Sequence, residues 1–154
     1  MRNQSLFLKK MTALATALMF LVISSVNRVE ATASIDLTPT QIKAAVEEYY
    51  ASLASLDIQR YVNNFTSNGV VEAPVGTPPI EGTEAIAAHF GEVFLQFTEG
   101  RYEIQEVIVC KREAAVNWKL LLKTTNGDVI TLDGMGVIKF NLLGKVQSVR
   151  EFFN

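Results

Sequence analysis

From Tyr102 onward the chain has little freedom of fold. Tyr102 to Lys111, Ala114 to Thr124, Val129 to Phe140 and Val146 to Phe153 are four strand-like runs rich in β-branched, aromatic and alternating apolar residues. Only short turns separate them, centred on Arg112-Glu113, Asn126-Gly127 and Leu143-Gly144. A parallel pair needs a crossover of about a dozen residues, whereas an antiparallel pair closes through a hairpin. The second half therefore predicts an antiparallel meander. Asn126-Gly127 is the strongest turn signal, and its residue types predict a type I′ hairpin with positive φ at both positions.

The residues ahead of that meander keep helical time. Thr38-Pro39-Thr40-Gln41 has the pattern of a capping box with proline at the first helical position. Ile42, Ala45, Val46, Tyr49, Leu53 and Leu56 then fall on one helical face. Asp57 is placed to cap a short second helix with Ile58, Tyr61, Val62 and Phe65 inward, stopped by Thr66-Ser67-Asn68-Gly69. A third helix is expected from Thr83, with Ile86, Phe90, Val93, Phe94 and Phe97 as its stripe and Gly100 at its end. Helices followed by a meander give an α+β domain, with three N-terminal helices packed on one face of a curved antiparallel sheet and a concave pocket between them.

The connecting stretch, Val70 to Gly82, reads V-V-E-A-P-V-G-T-P-P-I-E-G. Val70 to Glu72 is a short strand, and Pro74 to Pro79 a stiff loop around Gly76. This stretch, the Glu-Glu-Tyr49 helix with Asp57 downstream, and the closing Gly144-Lys145-Val146 together resemble the NTF2-like superfamily, in its ketosteroid isomerase/SnoaL-like branch. The resemblance covers most of residues 40 to 154 and implies a cone-shaped pocket. It also implies where an isomerase would carry its chemistry: a carboxylate base that moves a proton beside a ketone, and a tyrosine with a protonated acid to hold the enolate oxygen. The tyrosine falls on Tyr49. The base falls on Ala73 and the acid on Gly136, neither of which can exchange a proton. A positioned general base contributes about 10²–10⁴ in rate, so ketosteroid isomerase activity is not expected. Two small residues in place of acids also predict a roomier and less polar cavity.

The front of the chain points elsewhere. Arg2, Lys9 and Lys10 precede an apolar run from Met11 to Val26, and Ala31-Thr32-Ala33 offers small-residue cleavage positions. Residues 1–33 are expected to be a signal peptide, cleaved after Ala31 or Ala33, with residues 34–154 as the domain and a periplasmic or secreted destination. The alternative is an uncleaved anchor, against which the run is shorter than the roughly 20 residues a spanning helix needs. Without Arg2, Lys9, Lys10, Arg28 and Glu30, the chain keeps 10 basic and 15 acidic residues. An acidic body without a basic stripe excludes nucleic acid as the expected partner, and no membrane association is expected after cleavage.

Candidate site residues follow from the pocket. Tyr49, Ala73, Phe90, Trp118, Gly136 and Phe153 are expected to line it and hold a small apolar or amphipathic molecule. Tyr49, His89 and Glu151 are the candidates for catalysis should the protein be an isomerase- or hydrolase-like enzyme. His89, the sole histidine, either borders the pocket or faces solvent. Glu151 shares strand parity with Val149 and Phe153; if that parity faces inward it is a carboxylate in an apolar cone, and if Val146, Ser148 and Phe152 face inward it is wet. Glu72 and Asp133 have the wrong parity to replace the missing acids, unless glycines at 134 and 136 shift the register. One histidine, one cysteine and scattered carboxylates give no metal-ligand spacing, and no cofactor is expected. Cys110, the sole cysteine, reads as a small hydrophobe in a strand. Asn117, Lys119, Leu121 and Lys123 mix polar and apolar groups on the outer sheet face, where a homodimer would pair.

Overall fold

A computed structural model of the chain describes residues 36–154. The signal-peptide expectation lies outside the described residues. Three helices, α1 (Pro39–Ala54), α2 (Ile58–Val62) and α3 (Thr83–Phe94), pack against a six-stranded sheet of β1 (Phe65–Glu72), β2 (Ile80–Glu81), β3 (Phe97–Cys110), β4 (Glu113–Thr124), β5 (Val129–Phe140) and β6 (Val146–Phe153). The strand order is β2-β1-β6-β5-β4-β3. β3 to β6 form the expected antiparallel meander. β1 joins β6 in parallel, which its separation in sequence permits, so the sheet is mixed rather than wholly antiparallel. Register shifts between Phe97 and Glu99 and between Ile104 and Glu106 bend β3 around the helices. Among the described residues no helix is long and apolar enough to cross a membrane.

The first helix begins as its sequence predicts. Thr38 Oγ1 accepts from the Gln41 amide, and Gln41 Oε1 accepts from the Thr38 amide. Asp57 Oδ1 accepts from the backbone amides of Gln59 and Arg60, at 3.0 and 3.1 Å, so α2 is held by its cap despite having only five residues. Asp57→Ala is expected to cost about 1 kcal/mol of unfolding free energy. A urea melt in which the midpoint does not move would show that α2 is held by Tyr61 packing instead.

Several local expectations are corrected. Thr66-Ser67-Asn68-Gly69 does not stop a helix; it lies within β1, as the irregular stretch between Phe65, which pairs with Val146 of β6, and Val70, which pairs with Ser148. Gly82, not Thr83, occupies the cap of α3, with φ 84° and no side-chain hydrogen bond. Gly100 does not end α3 but sits in β3, where a Cβ would come within 2.8 Å of the Ala54 carbonyl oxygen; it lets the end of α1 lie on the strand. At Asn126-Gly127 only Gly127 has positive φ, and its amide donates to the Thr124 carbonyl. This is a three-residue loop with glycine in the left-handed position, not a type I′ turn. Cys110 is exposed at the end of β3 rather than packed.

The core lies between the helices and the concave face of the sheet. Ile42, Val46 and Ile86 from the helices meet Val71, Val116, Ile138 and Val149 from the strands, all fully buried. A register shift between Lys139 and Phe140 turns both Val146 and Val149 inward. From Val149 onward the alternation is regular: Glu151 is 5% exposed while Phe152 is 42% exposed. Of the two parities open to β6, the one that buries Glu151 is realised.

Candidate functional site

Between the helices and the sheet lies a partly open cavity of about 260 Å³. Helix α1 supplies Tyr49 and Leu53, α2 supplies Tyr61, and α3 supplies Phe90, Val93 and Phe94. The sheet supplies Tyr102, Leu120, Leu122, Leu132, Glu151 and Phe153, and Ala73 closes one side after β1. Of its sixteen lining residues among those described, seven carry phenyl or phenol rings, so the chamber is apolar except where the tyrosine hydroxyls, His89 and Glu151 enter it. A wider, open recess beside Val75, Asp133 and Asn154 shares the walls of Leu132 and Phe153.

Glu151 is the chemical centre of this chamber. Its Oε2 accepts from Trp118 Nε1 at 2.8 Å, and Tyr50 reaches both oxygens at 3.2 and 3.4 Å. Tyr49 donates to Oε1 at 3.5 Å and lies 3.4 Å from the Tyr61 hydroxyl. These donors matter because an unpaired buried carboxylate would be prohibitively costly. Burial pushes the Glu151 carboxyl up to about 7, against the opposing pull of the hydrogen bonds from Trp118, Tyr50 and Tyr49. Burial likewise raises Tyr49, Tyr50, Tyr61 and Tyr102 well above the ordinary phenol range, so all four stay neutral near pH 7.

Two glycines on β5 make this cluster possible. The register sets Gly134 between Trp118 and Phe153, and Gly136 between Val116 and Glu151. A Cβ at Gly134 would lie 2.4 Å from Trp118 Cζ2; one at Gly136 would lie 2.2 Å from the Tyr50 hydroxyl and 2.7 Å from Glu151 Oε2. The space a side chain at 136 would take is therefore filled by Tyr50 and a carboxylate from the next strand. This overturns the expectation of a roomier, less polar cavity at that position: the acid is there, carried by β6.

The predicted residues divide accordingly. Tyr49, Ala73, Phe90, Phe153 and Glu151 line the cavity. Trp118 is buried behind Glu151 and reaches the chamber only through that carboxylate, and Gly136 contributes space rather than a surface. Tyr49 and Glu151 come together. His89 lies on the exposed side of α3, at the rim, with its ring edge-on to Phe90 at 5.2 Å. No hydrogen bond among the described residues links it to the other two. Glu72 turns away, accepting from Arg150 Nε at 2.7 Å and from the Gly76 amide at 2.8 Å, which keep its carboxyl below the usual range. Asp133 is exposed, 3.9 Å from Lys119, with no register shift to bring it inward.

Sequence reasoning missed Tyr50, Tyr61 and Tyr102 as parts of the site. Tyr50 stands one helical turn after Val46, so a wider apolar stripe on α1 would have included it. Tyr102 depended on the bends in β3. Among the described residues no group of three His, Cys, Asp or Glu side chains is placed to hold a metal.

Residues 46–149 match the family model described as a SnoaL-like domain. Among solved structures, the chain is similar to that of SalBIII, described as an epoxide hydrolase/cyclase-like enzyme with a role in pyran ring formation in the polyether salinomycin. The match has a TM-score of 0.67 and 23% identity, covering 75% of this chain and 92% of that one; at that identity it speaks for the fold.

Proposed function

The chain belongs to the SnoaL-like family, and on that premise we propose that its domain takes a small apolar or amphipathic molecule into the cavity and anchors the molecule's polar end at Glu151. The observation that carries this reading is one buried carboxylate, held by three donors, on the wall of an otherwise aromatic and aliphatic chamber. Ligand sites commonly combine an apolar lining with a few fixed polar groups. A volume of about 260 Å³ lies just under the roughly 300–1,000 Å³ of drug-sized sites, so the ligand is compact. Ala73 leaves the chamber without the base an isomerase of this branch would use, and ketosteroid isomerisation is not part of the reading.

Native mass spectrometry of the protein purified from its own host is the test. The expected spectrum contains a small-molecule adduct. It also reports whether the polypeptide begins after Ala31 or Ala33, as our export reading requires, or keeps its N-terminal segment as an anchor. Its oligomer mass tests pairing through the outer sheet face, where Ile108, Met135, Val137 and Phe152 are exposed. Trp118, the sole tryptophan, is hydrogen-bonded to Glu151 and gives a second readout. An empty spectrum, together with no saturable change in its fluorescence across a panel of compact apolar probes, removes the binding reading.

A second reading, proton-transfer chemistry in the same chamber, is favoured by the convergence of Tyr49 and Glu151 within 3.5 Å. A carboxyl held near 7 is suited to exchanging protons at neutral pH. His89, at the rim, would act only on a substrate reaching the mouth. Deuterium exchange beside the carbonyl of a compact ketone, followed by NMR, checks this. Exchange no faster than with Glu151→Gln sinks it.

A further inference from the structure

The cavity's electrostatics are one-sided. Among the described residues, Glu151 is its sole acidic lining residue, and no lysine or arginine lines it. None of the salt bridges among the described residues includes Glu151. Trp118 and Tyr50, which do not line the chamber, hold the carboxylate from behind through N–H and O–H donors. Such donors favour the ionised form and fix its direction without neutralising its charge. The rings of Tyr49, Tyr61, Phe90, Phe94, Tyr102 and Phe153 surround the space in front. Aromatic rings stabilise a cation against their faces, most strongly where water is excluded. A carboxylate or phosphate ligand would meet Glu151 with like charge and find no cationic side chain on the wall. A neutral ligand would leave the carboxylate without a counter-charge.

We propose that the ligand is a compact lipophilic amine, whose protonated nitrogen pairs with Glu151 while its apolar body fills the ring-lined chamber. This rests on the binding reading above and names its ligand class. Among the described residues, the titratable groups facing Glu151 are Tyr49 and Tyr50 from α1, Tyr61 from α2 and Tyr102 from β3, all neutral at pH 7; His89 on α3 is the remaining titratable lining residue. An arriving ammonium lowers the affinity of Glu151 for its own proton. Amine binding near pH 7 therefore expels a proton, while a ligand carbonyl accepting a hydrogen bond from the protonated acid draws one in.

Isothermal titration calorimetry of the purified full chain with matched probes decides between these. The pairs are 2-phenylethylamine with 2-phenylethanol, and cyclohexylmethylamine with cyclohexylmethanol. At pH 8 each amine is expected to bind about 30-fold more tightly than its alcohol. Titrations at pH 7 in two buffers of different ionisation enthalpy are expected to show net proton release for the amines. Glu151→Gln, with its melting temperature checked, should reduce the amine preference to near unity. If that variant does not fold, the proton count on the unaltered protein decides. Alcohols that bind as well as the amines, or proton uptake on amine binding, overturn the amine assignment and leave the binding reading standing. Binding of none of the four overturns both.

Discussion

Gly134→Ala is expected to destabilise the protein by about 3 kcal/mol, the upper part of the usual range for overpacking a core. The added methyl would stand 2.4 and 2.5 Å from two ring carbons of Trp118 and 2.8 Å from the Phe152 carbonyl oxygen. The ring cannot retreat freely, because its Nε1–H is committed to Glu151 at 2.8 Å and its neighbours Tyr102 and Phe153 pack at centroid distances of 5.3 and 5.8 Å. The carbonyl belongs to a strand paired with β5 and cannot move alone. Gly136→Ala meets only side-chain tips, the Tyr50 hydroxyl and the Glu151 carboxylate, so it should cost about 2 kcal/mol, chiefly in lost hydrogen bonding. Urea denaturation followed by circular dichroism measures both. Midpoints within experimental error of the unaltered protein would mean that Trp118 and Glu151 do not occupy the positions described.

The pH dependence of stability should carry the signature of a buried acid. The Glu151 carboxyl titrates at about 7 in the folded protein, against an ordinary value of 4.5. Between those values the folded state holds a proton that the unfolded state has released. The neutral acid's contribution is therefore fully present below pH 4.5 and is lost as pH rises through 7. The loss amounts to about 3 kcal/mol across that window. Other groups titrate there too, so the informative quantity is the difference between Glu151→Gln and the unaltered protein. A glutamine cannot ionise, and the variant should gain about 3 kcal/mol relative to the parent between pH 4.5 and 8. Denaturant melts at intervals of pH provide the measurement. A difference that stays flat would mean that Glu151 is solvated, and the cavity assignment would go with it.

The helices, the meander and the concave pocket were legible from residue spacing because each rests on local physics. Thr38 with Gln41, and Asp57 ahead of α2, satisfy helix-end amides within a few residues of themselves. The short connections after β3 permitted only antiparallel pairing. Ala73 and Gly136 could be read as unable to exchange a proton, since that follows from the side chains alone. What the sequence left open was the direction of Glu151: both parities of β6 carried apolar residues, and the register shift at Lys139/Phe140 turned Val146 inward without deciding for Phe152. Likewise, β1 began earlier than its apolar run because β6 offered it hydrogen-bond partners.

The site itself belongs to the tertiary structure. Tyr50, Trp118, Gly136 and Glu151 come from four different elements, α1, β4, β5 and β6, and no spacing in the sequence links them. Burial in the space left by the glycines on β5 pushes an ordinary glutamate up towards neutrality, against the opposing pull of donors from α1 and β4. Sequence alone determined which elements form and which protons the isomerase positions lack, because those properties are local. Only packing decided where the acid stands, because desolvation and cross-strand contact exist nowhere but in the folded chain.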